Sequence, residues 1–279
     1  MLVDTHCHLN MMVKDSFGTA LTSDEIAKAQ AIVAEAQAEG VVAFVNAGTC
    51  PVESQNSVAL AKAISSVWAL VAIHPHDCKD NWQEQFAVIK KLVADKEANK
   101  IVGIGECGID RHYPEHNLMH QTDAFRAHIE LALQHDLPLI VHSRDAYEET
   151  LHALDEYKSD LSRGILHCFS YDHEFANNVM RMGFAIGLAG NLTYPRNDEL
   201  RDIAQALPMD KIVLETDAPF MPPQKMRGKQ NHPKYVRAVA EQLAETKGLP
   251  LETVARDTTK TACDVFGSAF TVFMTDQGL

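Results

Sequence analysis

The sequence predicts an α/β fold, a (β/α)8 TIM barrel with extra C-terminal helices. Three observations carry this expectation. Eight short apolar runs are spaced along the chain, amphipathic stretches lie between them, and polar residues recur where the runs end. The length of 279 residues suits one such barrel.

The runs, in order, are "MLVDTH" (1–6), "GVVAFVNAG" (40–48), "VWALVAIHP" (67–75), "KIVGIGE" (100–106), "LPLIVHS" (137–143), "GILHCF" (164–169), "FAIGLAG" (184–190) and "KIVLETD" (211–217). Nearly continuous apolar character is what a parallel strand buried on both faces requires. The stretch 23–40 reads as a helix with Ser23 as its N-cap, acids in its first turn and a closing glycine. The stretches 121–136, 144–157 and 197–208 behave similarly, and 232–248 and 250–267 add two helices after the last strand. The tail 268–279 carries no strong signal. A doubly wound open sheet is the alternative, but no glycine-rich fingerprint follows the first run. With no repeat or linker, one domain over 1–279 is expected.

Composition sets limits. Hydrophobic residues make up 46% and charged residues 23%, enough for a sizeable core. No apolar run approaches the ~18–20 residues of a membrane span, and "MLVDTHCHLN" lacks a basic leader region, so a cytoplasmic protein with no membrane association is expected. The six cysteines are scattered without a CxxC pair and read as reduced packing residues. The net charge of −13 argues against capture of nucleic acid by long-range attraction. Contact with phosphates must be local or pass through bound cations. No stable protein partner is evident, and a monomer is expected.

The ends of the runs carry the chemistry. The first ends in His6 and His8, the fourth in Glu106, the fifth in His142, the sixth in His167 and the eighth in Asp217. A barrel gathers the C-terminal ends of its strands on one rim. His6 and His8 should face the same way, roughly 6–7 Å apart along the strand. Asp4 has the same parity and is expected to orient a ligand histidine through its free ring nitrogen; Glu215, in parity with Asp217, is a second such candidate. Four histidines and two carboxylates exceed what one structural zinc uses. They suit two ions with one carboxylate bridging, the arrangement of two-metal phosphoryl transfer. Mixed N/O donors admit zinc, manganese, magnesium or cobalt.

Other residues are less decided. His74, in "AIHPH", sits on the same rim and has either a substrate or an auxiliary metal role, or neither. His112, His116, His120, His128, His135, His152 and His173 fall in helices or loops and read as surface residues. The stretch 218–240 holds Lys225, Arg227, Lys229, Lys234 and Arg237 and no acid. It is expected to clamp phosphate oxygens. Arg144 is a further candidate, unless it pairs with Asp145 or Glu148.

The motifs "DTHCHL", "IHPH", "GECGID", "PLIVHSRDA", "LHCFS", "ETDAPFMPP" and "RGKQNHP" resemble those of the TatD-type metal-dependent deoxyribonucleases of the amidohydrolase superfamily. The likeness runs in order from residue 1 to about 267. It implies a (β/α)8 barrel with two divalent ions. One would be held by His6, His8, Glu106 and Asp217, the other by Glu106, His142 and His167. It further implies hydrolysis of DNA phosphodiesters, often from 3′ to 5′, with Mg2+ or Mn2+ and with Zn2+ as another possible occupant. Glu106 and Asp217 would be catalytic, with His74, Arg144, Arg227 and Lys229 meeting substrate. The sequence departs from the pattern in a longer segment 10–24, Tyr171 in place of glycine, His232 in place of glutamate and Lys260 in place of asparagine. None is a proposed ligand. Two rival activities remain open on this scaffold. A small-molecule amidohydrolase or lactonase often bridges its metals with a strand-4 lysine, which "GECGID" lacks; an aminoacyl-tRNA ester hydrolase would share the basic loop.

Overall fold

The structure, a computed structural model, describes every residue except 15, 17, 114, 116 and 279, so His116 lies outside the described residues. Eight parallel strands form one sheet in sequence order: β1 (Leu2–Cys7), β2 (Val41–Ala47), β3 (Val67–Val71), β4 (Ile101–Asp110), β5 (Leu139–Arg144), β6 (Gly164–Leu166), β7 (Phe184–Leu188) and β8 (Ile212–Leu214). Around them run α1 (Leu9–Val13), α2 (Ser23–Ala38), α3 (Pro51–Ala63), α4 (Trp82–Ala94), α5 (Leu118–Gln134), α6 (Tyr147–Asp155), α7 (His173–Arg181) and α8 (Asp198–Ala206). Then follow α9 (Val236–Lys247), α10 (Leu251–Phe266) and α11 (Ser268–Asp276). This is the (β/α)8 barrel.

The first and last strands meet at their C-terminal ends. The Asp217 amide donates to His6 O at 2.9 Å, and the His8 amide donates to Ala218 O at 2.7 Å. Lower down, Thr5 Oγ1 donates to Leu214 O at 3.0 Å. Asp4 adds a side-chain clasp: Thr216 gives it an amide bond of 2.9 Å and a hydroxyl bond of 2.6 Å.

The core has two parts. Val3, Val45, Leu70, Ile140, Ile165 and Val213 fill the barrel interior, and Phe266, Phe270 and Met274 pack beneath them. Trp68, at the start of β3, meets the Phe270 ring at 5.5 Å. The tail thus forms a helix that closes the N-terminal end of the barrel. Its signal was short, two buried residues four apart; each such burial stabilises by roughly 1.5–3 kcal/mol. The outer core lies between sheet and helices.

Boundaries shift where rim residues leave the ladder. The third run ends as a strand at Val71, the sixth and eighth strands keep three residues each, and the fourth continues past Glu106 to Asp110. The cap of α2 is Thr22 rather than Ser23, because Thr22 and Glu25 complete a capping box. All six cysteines are free thiols, four of them buried.

His128 corrects an expectation. It is fully buried on the inner face of α5, one turn from Ala124 and Phe125. Its Nδ1 donates to Ala124 O at 2.6 Å, and its Nε2 accepts the Ile73 amide at 3.0 Å. The ring must be neutral to do both. Burial pushes its pKa down to about 4. The native state therefore refuses a proton that the unfolded chain accepts below about 6.5, and stability is lost as pH falls from there toward 4. His128→Gln should be less stable than the native chain at pH 7. That gap should narrow by about 2 kcal/mol at pH 5, in urea unfolding at both pH values. A gap independent of pH would show that His128 does not titrate this way.

Candidate metal centre

Six strand-end side chains converge at the C-terminal mouth. β1 brings His6 and His8, whose Nε2 atoms lie 3.3 Å apart. β4 brings Glu106 against them, with Oε2 at 3.2 Å from His6 Nε2 and 3.5 Å from His8 Nε2. Asp217, just past β8, places Oδ1 3.3 Å from His8 Nε2 and 3.9 Å from His6 Nε2. The other carboxylate oxygen of Glu106 faces a second group. Its Oε1 is 2.7 Å from His142 Nδ1, 3.7 Å from His167 Nε2 and 3.6 Å from His74 Nε2. One carboxylate thus stands between two sets of imidazoles.

Local backbone geometry permits the crowding. A side chain at Gly108, where φ is +145°, would strike the His142 carbonyl. A Cβ at Gly187 would lie 2.7 Å from the Glu215 carboxylate. Asp217 adopts φ of +57°, a left-handed conformation that side chains other than glycine rarely take. Such strain is retained where the surroundings over-determine it.

Outer partners fix several rings. His8 Nδ1 donates to Ala47 O at 3.2 Å, which turns Nε2 toward the carboxylates. His167 Nδ1 is 2.9 Å from Glu215 Oε1, and Glu215 also accepts the Cys168 amide. His142 Nε2 meets Asp110 Oδ2 at 3.0 Å. Among the described residues, His6 Nδ1 finds no hydrogen-bond partner although it is buried. Asp4 does not orient a ring. The register of β1 shifts between Asp4 and Cys7, so the count of two from His6 fails there, and Asp4 serves the seam with Thr216.

The electrostatics are those of an unneutralised cluster. Burial would raise Glu106 and Asp217, but the facing imidazoles hold both below the usual carboxylate range. Burial would lower His142 and His167. For His142, hydrogen bonds to Asp110 and Glu106 reverse this and push it up to about 9. For His167, the charges of Glu215 and Glu106 push it up to about 10. Converging nitrogen lone pairs, outer hydrogen bonds and ionised oxygens form a donor set that fits divalent cations. Two of the geometric clusters able to hold an ion, His6–His8–Glu106 and His74–Glu106–His142, share Glu106.

A cavity of about 600 Å3 opens above the centre. Arg144 lines it, with its guanidinium 5.8 Å from the Tyr113 ring centre. The acids considered as its partners include Asp145, which meets His112 instead at 3.0 Å. The basic loop lies differently from expectation. Lys234 pairs with Glu35 and Arg237 with Glu241, while Arg227 covers the Tyr194 ring at 4.8 Å. Among the described residues, neither Arg227 nor Lys229 lines the cavity, though Phe220 and Met221, just before them, do. Sequence reasoning missed Asp110, His76, Tyr113, Phe220 and Asn191, which also line it. Asp110 had a signal: it stands four residues past Glu106, in strand parity, once "GECGID" is read as continuous strand.

The family model of TatD-related DNases matches residues 3–267. The metal-dependent hydrolase YabD of Bacillus subtilis is 34% identical over 266 residues, covering 95% of this chain and 99% of the relative. The 3′-5′ ssDNA/RNA exonuclease TatD of Salmonella typhimurium is 32% identical over 259 residues, covering 91% of this chain and 98% of its own. Among solved structures, YjjV, a TatD homolog from Escherichia coli, superposes with a TM-score of 0.85 at 25% identity, covering 95% of this chain and 97% of that one. The motifs, the barrel and the matched span agree: the chain belongs to the TatD-related DNase family.

Proposed function

We propose that this metal-dependent hydrolase cleaves phosphodiester bonds of DNA, removing nucleotides from the 3′ end of single strands. One observation carries the reading: Glu106 turns its two oxygens to separate groups of imidazoles beneath a cavity of about 600 Å3. His6, His8, Glu106 and Asp217 would hold one divalent cation, and Glu106, His142 and His167 the other. Such ions, magnesium or manganese, supply positive charge for the phosphate oxygens and make a water acidic near neutral pH.

The chain's own groups do the rest. Asp217 is ionised and accepts the proton of the attacking water. Glu215 positions His167, and Asp4 secures the strand that carries His6. His74 stays neutral, pushed down to about 4 by burial and by its neighbour His142. Its Nδ1 accepts the His76 amide at 3.2 Å, so its proton sits on Nε2, facing the centre. It is thereby a hydrogen-bond donor for a phosphate oxygen rather than a ligand. Arg144 is the one Lys or Arg lining the cavity among the described residues and holds the phosphate as a fork. The exposed rings of Phe220 and Tyr113 at the rim accept open base faces, which a duplex does not offer. Arg227 and Lys229 meet the strand beyond the cavity.

Three outcomes are expected. With Mg2+ or Mn2+, a 5′-labelled single strand should shorten stepwise from its 3′ end, faster than a duplex, and Glu106→Ala should slow this by at least ~10³-fold. Hydrolysis of lactones or aminoacyl esters in place of DNA would overturn the reading. Phe220→Ala should raise KM for single strands by roughly 5- to 100-fold, with kcat little changed. An unchanged KM would remove the ring from the binding account. Finally, His142 and His167 are protonated at pH 7 before cations bind, and ligating nitrogens must be bare. Loading at pH 7 should release about two protons, and affinity should climb as pH rises toward 9. Calorimetry in buffers of different ionisation heat measures this, and zero release would exclude those rings as ligands.

A further inference from the structure

We infer that Asp110 is a positioning residue: it fixes the proton of His142 on Nε2 and so presents the bare Nδ1 to the second cation. The inference rests on the two-ion reading above and adds a residue to it.

Asp110 ends β4 and is 1% exposed. Its carboxylate is fully committed. Oδ1 accepts the His112 amide at 2.8 Å. Oδ2 accepts from His76 Nε2 at 2.8 Å and faces His142 Nε2 at 3.0 Å. A group accepting from these partners has no proton to offer, so His142 Nε2 must be the donor. A cation that took the Nδ1 proton's place would leave His142 with its one remaining proton on Nε2 and its lone pair on Nδ1. That atom points at Glu106 Oε1, 2.7 Å away, the oxygen His167 also faces.

The carboxylate is itself held from behind. Gln121, buried on α5, accepts the Asp110 amide at 2.8 Å and donates to the Asp110 carbonyl at 3.1 Å. This two-point hold fixes the last residue of the strand, and with it the angle from which Oδ2 meets the imidazole. A carboxylate behind a ligating histidine selects the tautomer, orients the ring and makes it a stronger donor. Glu215 Oε1 lies 2.9 Å from His167 Nδ1, so each imidazole expected on the second ion has a carboxylate beside it. The His8 ring, on the first ion, leans on a carbonyl instead.

Asp110→Asn keeps the shape but replaces one acceptor oxygen with an NH2 group. Three donors then compete for one oxygen, and His142 is driven to the tautomer with its proton on Nδ1. The test titrates metal-free native chain, Asp110→Asn and His142→Ala with Co2+, following absorbance and stoichiometry. Native chain should take up two ions. Asp110→Asn should keep one at native affinity and bind the other about 10- to 100-fold more weakly, the range for loss of such an outer partner. His142→Ala should lose that same ion. If His142→Ala loses an ion that folded Asp110→Asn binds at native affinity, the role of Asp110 is overturned. If His142→Ala loses none, the two-ion reading itself fails, and this inference with it. Should Asp110→Asn not fold, 15N histidine NMR of the native chain loaded with Zn2+ decides. A proton on Nε2 of His142 supports the inference, and a proton on Nδ1 refutes it.

Discussion

The structure depends on the burial of one carboxylate among imidazoles. Glu106 is 4% exposed, and ring nitrogens of His6, His8, His74, His142 and His167 lie within 3.7 Å of its oxygens. Charges removed from water cost several kcal/mol each unless they are compensated. The barrel meets that cost with other charges rather than solvent. Asp217, Glu215 and Asp110 stand around the rings, and together they create a centre whose carboxylates Glu106 and Asp217 are held ionised and whose His142 and His167 rings are held protonated. A fold that had only to be stable would place apolar side chains there. The interior beneath shows that alternative, with Val45, Leu70 and Ile140 filling the same barrel one layer down.

Much of this was legible in the chain because strands obey a short period. His6 and His8, two apart, had to share a face, and ends of parallel strands had to share a rim. Those two rules suffice to bring six residues spread over more than 200 positions into one set. Where the period is interrupted, legibility fails. The shift in β1 between Asp4 and Cys7 separated Asp4 from the ring it was expected to hold. The continuation of β4 to Asp110 hid a carboxylate in what looked like a loop. His128 shows a different limit: in α5 it occupies a core position, and only the apolar stripe around it marks the imidazole as interior.

Charge was harder to read than position. The acid-free stretch 218–240 stood out against a net charge of −13, yet two of its cations are taken up by acids, Lys234 by Glu35 on α2 and Arg237 by Glu241 one turn along α9. Sequence proximity to Asp217 did not decide which way those side chains turn. Arg144, a single cation beside a histidine, reaches the cavity because β5 delivers it there. Tyr171, a departure from the family pattern, is accommodated locally: its hydroxyl meets Ser143 Oγ at 2.9 Å and the Ala146 amide at 3.0 Å, behind the mouth.

The seam joining β1 to the segment after β8 orders events in time. The amide of Asp217 is bonded to His6, and the amide of His8 to Ala218. On a ribosome, a nascent chain exposes its first two imidazoles long before their carboxylate partner near residue 217 is synthesised. Until then the pair lacks its seam and one of its two counter-charges, Glu106 being the other. Assembly of the first set of donors thus waits until the segment after β8 has been made.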